Sequence, residues 1–70
     1  MRQQEHYNGH TILAETYRLG KGYRWSYTID GGDMRESRDR PLRNERVVIG
    51  EAVAEAKAEI DRKKSGGPLT

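Results

Sequence analysis

Gly22-Tyr23-Arg24-Trp25-Ser26-Tyr27-Thr28-Ile29-Asp30 is the stretch that decides the fold of this chain. Tyr23, Trp25, Tyr27 and Ile29 alternate with Arg24, Ser26, Thr28 and Asp30. That is a period of two, which puts apolar groups on one face of an extended strand and polar groups on the other. Gly20-Lys21-Gly22 before it and Asp30-Gly31-Gly32-Asp33 after it supply turns, with glycines where positive φ is needed. Upstream, Thr11, Ile12, Leu13, Thr16 and Tyr17 predict a strand at about His10–Arg18. Downstream, Met34–Asp39 reads as a short third strand whose heavy charge suits a sheet edge.

Arg40-Pro41-Leu42-Arg43 then breaks the sheet. Asn44 is a good N-cap, and Glu45 follows it in the first turn, facing the positive end of a helix. Ile49, Ala52, Val53, Ala56 and Ile60 form one apolar stripe on a helix running to about Lys63. Arg62, Lys63 and Lys64 suit its negative end, and Ser65-Gly66-Gly67-Pro68 terminates it. The expected architecture is α+β, a three-stranded antiparallel β-meander packed by one C-terminal α-helix. Residues 1–8 read as a flexible leader, 9–64 as a single β-β-β-α domain, and 65–70 as a flexible tail.

Composition bounds the rest. Only 33% of the 70 residues are hydrophobic, 34% are charged, and the mean hydropathy is −1.06. A core this small supplies on the order of 3–5 kcal/mol, and with no cysteine neither disulfides nor thiolate–metal bonds add to it. No wholly apolar run exceeds three residues, as in Val47-Val48-Ile49, far short of the ~20 residues that span a bilayer. Met1–His6 has no apolar stretch after its arginine, so no signal peptide is expected and the cytoplasm is the expected compartment.

The net charge of +2 and pI near 9.2 point to nucleic acid only if the basic residues cluster. Turn lengths give a trial register. A two-residue Gly31-Gly32 turn sets Ile29 opposite Met34, Thr28 opposite Arg35, Ser26 opposite Ser37 and Arg24 opposite Asp39. A three-residue Gly20-Lys21-Gly22 turn sets Tyr17 opposite Trp25, Leu13 opposite Ile29, Thr16 opposite Ser26 and Arg18 opposite Arg24. The helix side then holds Leu13, Tyr17, Trp25, Tyr27, Ile29 and Met34, with Arg38 placed to lie over the Trp25 ring. The open side holds Arg18, Thr16, Arg24, Ser26, Thr28, Arg35 and Ser37, with Lys21 in the adjacent turn. Arginines interleaved with small hydroxyls resemble a phosphate-contacting platform, although any solvated sheet face carries such residues. The helix is acidic between Val47 and Asp61, so charge is segregated between the two layers.

Other candidate sites fall away. His6 and His10 are separated by Asn8-Gly9, which argues against the helix that would align them on a metal. Asp30, Asp33, Glu36 and Asp39 lack the order of a calcium loop, and Pro41 stands where its last glutamate belongs. Gly20-Lys21-Gly22 has no following Lys-Ser/Thr pair and is no phosphate loop. One sheet with one helix has a single interface, consumed by the core, so neither an enzyme pocket, a cofactor nor a small-molecule substrate is expected. Tyr23, Trp25 and Tyr27 are assigned to packing rather than base stacking, because without them little covers the helix stripe. Gly50 costs about 1 kcal/mol in a helix interior, for which close helix–sheet approach is one explanation.

Gly22-Tyr23-Arg24-Trp25-Ser26-Tyr27, the short charged strand and the helix with Glu51-Ala52 resemble the arm-site DNA-binding domain of tyrosine integrases. The likeness spans about residues 10–62 in topology. It implies a sheet inserted into the major groove, with Arg24, Ser26 and Thr28 on one strand and Arg35 and Ser37 on the next as contacts. Tyr7-x-Gly9-His10, Trp25 with Ile29-Asp30-Gly31, Arg40-Pro41 and Glu51-Ala52…Glu55-Ala56…Ile60-Asp61 are also similar to small stand-alone bacterial proteins of unknown function. That likeness implies a fold without an activity. The expected function is non-enzymatic DNA binding through Arg18, Lys21, Arg24, Ser26, Thr28, Arg35 and Ser37. The alternative is a protein-interaction or homodimeric module using a strand edge or the Val47, Ala54, Ala58 side of the helix.

Overall fold

A computed structural model describes residues 1–38 and 40–66, with the backbone alone for 64–66. Its elements are β1 (Arg2–Tyr7), β2 (His10–Leu19), β3 (Gly22–Ile29), β4 (Arg35–Glu36) and α1 (Glu45–Gly66). The strands form one antiparallel sheet in the order β1-β2-β3-β4, and the helix packs across one face. The α+β meander with a C-terminal helix is therefore present, but the sheet has four strands rather than three.

The extra strand is where a flexible leader was expected. Asn8 and Gly9 both take positive φ, 48° and 80°, the requirement of a tight two-residue hairpin, and they set Tyr7 opposite His10. Contacts with the helix then fix the strand. The Tyr7 hydroxyl donates to the Asp61 carboxylate, Glu5 pairs with Lys57 at 3.2 Å, and the Lys57 ammonium lies 5.3 Å from the Tyr7 ring centre.

Both remaining registers differ by one residue from those expected. Between β2 and β3 the turn is Gly20-Lys21, with Gly20 at φ 62°, so Leu19 pairs with Gly22 and Thr16, not Tyr17, pairs with Trp25. Leu13 and Tyr17 consequently leave the helix side, and Ile12, Ala14 and Thr16 replace them. Between β3 and β4 the positive-φ pair is Asp30-Gly31, at 53° and 71°, closed by Gly32 N–H donating to the Ile29 carbonyl. The returning strand carries one residue more than that turn requires, so Tyr27 pairs with Arg35 and Ser26 with Glu36. Because side chains alternate, each single-residue offset reverses the faces of the strand concerned. The expected pairing of Arg24 with Asp39 involves a residue outside those described.

The helix follows its sequence closely. Asn44 Oδ1 accepts from the N–H groups of Arg46 and Val47 at 3.0 and 3.3 Å, capping the first turn. Ile49, Ala52, Val53, Ala56 and Ile60 are all buried, against Ile12, Ala14 and Tyr27 from the sheet. The helix continues past Lys63 to Gly66. Gly67-Pro68 and the rest of the expected tail lie outside the described residues. Between β4 and α1 the chain returns to β3: Tyr23 and Leu42 exchange backbone hydrogen bonds of 2.7 and 3.1 Å.

Candidate nucleic-acid interface

The revised register divides the expected arginine platform. Arg24, Ser26 and Thr28 do lie on the face away from the helix. Arg18 lies opposite Tyr23 and so falls on the helix side, exposed, while Lys21 is exposed in the turn. Thr16 faces the helix and donates to Glu45. Arg35 reaches Glu59 of the helix, with Nε 3.5 Å from Oε1. Ser37 is buried against β3, where it gives its N–H to the Trp25 carbonyl and takes the Trp25 N–H on Oγ. The open face also carries Leu13, Glu15, Tyr17 and Leu19 from β2 and Arg2 from β1, with Arg2 paired to Glu15. Its charges are thus mixed rather than basic.

The cations gather instead at the β4 edge. A groove of about 890 Å³ runs between the β3–β4 edge and the C-terminal half of α1. Among the described residues, Arg24, Arg35, Arg38, Arg62 and Lys63 line it, together with the carboxylates Glu36 and Glu59. Arg38 and Arg62 are exposed and have no carboxylate partner among the described residues. Arg24, Arg35 and Ser37, which the sequence reading placed on the open face, line this groove, whereas Arg62 and Lys63 read there only as complements to the helix dipole.

Glu59 organises one wall. It accepts from the Tyr27 hydroxyl at 2.7 Å and pairs with Lys63 at 3.3 Å as well as with Arg35, and its side chain is only 13% exposed. The Tyr27 bond, aided by Lys63 and Arg35, holds the Glu59 carboxyl below its usual range. Burial, reinforced by the same hydrogen bond, pushes the Tyr27 phenol up to about 12. The groove floor holds Trp25, half-buried and stacked on Tyr27 with ring centres 5.4 Å apart and planes at 27°. Arg38 and Trp25 share the groove, and a cation–π contact is seen elsewhere, between Lys57 and Tyr7.

Two further clefts adjoin. One of about 580 Å³ shares Tyr27, Arg35, Glu59 and Lys63 with the groove and extends to His10 and Asp30. There His10 Nδ1 is 2.6 Å from Asp30 Oδ2, and Asp30 Oδ1 accepts the Thr11 N–H at 2.8 Å. The other shares Trp25, Glu36, Ser37 and Arg38 and ends at Glu51 and Glu55, so the basic groove has an acidic neighbour beyond Trp25.

Comparison of the chain with protein-family models, curated proteins and solved structures finds no match. None of the helices among the described residues is long and apolar enough to cross a membrane.

Proposed function

We propose that this chain is a nucleic-acid-binding module that acts by binding rather than catalysis, and that its contact surface is the β4–α1 groove. The observation that carries this reading is the concentration of charge. Among the described residues, Arg35, Arg38, Arg62 and Lys63 outnumber Glu36 and Glu59 there by two, on a chain whose formal net charge is only +2. A concave, basic groove lowers the energy of a phosphate backbone laid along it and releases that backbone's counterions.

Titration of a labelled oligonucleotide at increasing salt tests the proposal. Affinity should fall with a log–log slope of about −0.7 to −0.9 per phosphate contacted. The double variant Arg38→Glu/Arg62→Glu should abolish binding, while Lys21→Glu, on the distant turn, should weaken it only slightly. Binding that ignores salt, or survives the double reversal, overturns the assignment.

One observation favours a second reading, self-association or a protein partner on the open sheet face. Tyr17 and Leu19 are 37% and 44% exposed there, beside Leu13. Val47 is similarly exposed on the helix, with Ala54 exposed on the same element. Light scattering at rising concentration tests its homodimer form, and Tyr17→Ser/Leu19→Ser should abolish any dimer seen.

A further inference from the structure

We infer that the groove takes single-stranded rather than duplex nucleic acid, with one base stacked on Trp25; this deepens the reading just given and rests on it. Trp25 stands at the boundary between the basic groove and the acidic cleft, and lines both. It is half-buried, packed against the core and stacked on Tyr27, and the rest of it lines the two clefts. Tyr27 backs it and is itself pinned by Glu59, which holds the stacked pair in place.

The walls select the form of the ligand. Helix α1 and the Ser37–Arg38 segment both line the clefts that meet at Trp25, so a ligand on the ring lies between them. Bases of a duplex are stacked inside it and do not reach such a ring without being flipped out, whereas a single strand splays its bases freely. Charge then orients the strand. Phosphates are attracted to the Arg62 and Lys63 side and repelled by Glu51 and Glu55 beyond Trp25, which leaves the uncharged base as the group that meets the indole.

Trp25 is the single tryptophan of the chain, so its fluorescence reports on this site alone. A short oligothymidylate titrated at low salt should quench the emission and shift its maximum in step with binding. A duplex of the same length should bind more weakly and leave the spectrum unchanged. Trp25→Leu, checked for its fold by circular dichroism, should lower oligothymidylate affinity by about tenfold or more, and Trp25→Phe by less. If the duplex binds as tightly as the single strand and the spectrum stays constant, base stacking is overturned while the basic groove stands. If neither oligonucleotide binds at low salt, both readings fall.

Discussion

Tyr27 gives its phenolic hydrogen to Glu59 Oε1 across 2.7 Å, joining the middle of β3 to the C-terminal half of α1. The bond does two things at once. It ties the sheet to the helix beside Ile60, the last buried residue of the helix stripe, and it forms the wall of the basic groove. Folding raises the Tyr27 pKa from 10.0 to about 12, so between those values the unfolded chain loses a proton that the folded chain keeps. The Tyr27 contribution is complete below pH 10 and is lost as pH rises towards 12. Urea midpoints should therefore fall over that window, and fall less steeply for Tyr27→Phe. That variant should also lose about 1.5–3 kcal/mol at neutral pH, because its hydrogen bond to a charged acceptor is gone.

The acid side has the opposite sign. Glu59 is held below the ordinary value of a glutamate, 4.5, chiefly by the Tyr27 hydroxyl, so its stabilisation is present above about that pH. It is lost as pH falls through the lower folded value. Asp30, held down first by the hydrogen bond to His10 and then by the Thr11 N–H, acts in the same direction. Glu59→Gln should flatten the acid limb of a stability–pH curve without removing it, since Asp30 remains. An unchanged limb in Glu59→Gln would show that the Tyr27 hydroxyl, with Lys63 and Arg35, does not hold this carboxyl down in solution.

The helix was legible because its signals agree: a capping asparagine, an acidic first turn and one apolar stripe. Strand β3 was legible from strict alternation. Strand β1 was not, because Arg2-Gln3-Gln4-Glu5-His6 has no apolar alternation and its attachment comes from Lys57 and Asp61 over fifty residues away. The local signal that does exist is Asn8-Gly9. Gly9 sits at φ 80°, where a β-branched side chain is strained, so Gly9→Val should release the hairpin. Hydrogen exchange is the direct measure: amides of β1 should lose protection while those of β3 keep theirs. Uniform loss across the sheet would instead make β1 part of the cooperative core.

The candidate site was half legible for a reason of geometry. Glycine runs such as Gly20-Lys21-Gly22 and Asp30-Gly31-Gly32 admit more than one turn, and each choice differs by one residue. That single step sends Arg35 from the open face to Glu59, and Tyr17 from the core to the surface. Residue types were read correctly as basic and polar, but the face they share is decided by residue counts: a two-residue rather than a three-residue turn after Leu19, and one extra residue on the strand after Asp30-Gly31. Arg62 and Lys63, far away in sequence, join them only because the helix lies along β3.

Two glycines with opposite surroundings test the packing itself. A Cβ on Gly50 meets nothing within 4 Å, so close helix–sheet approach does not account for this glycine, and it carries only the entropic cost of glycine in a helix. Gly50→Ala should stabilise the chain by about 1 kcal/mol, a rise in Tm of roughly 4–8 °C for a domain of this size. A Cβ on Gly22 would lie 2.9 Å from the carbonyl carbon and the Cβ of Pro41, and 3.1 Å from the Leu42 oxygen. Two of those atoms are backbone, held by the Tyr23–Leu42 hydrogen bonds, so the return segment has to move. Gly22→Ala should then cost about 1–3 kcal/mol, as overpacking does. Paired thermal melts measure both, and a Gly22→Ala protein as stable as the parent would mean that residues 41–42 do not dock on β3. In that case the connection into α1, and with it the position of the helix against the groove, would need a different anchor.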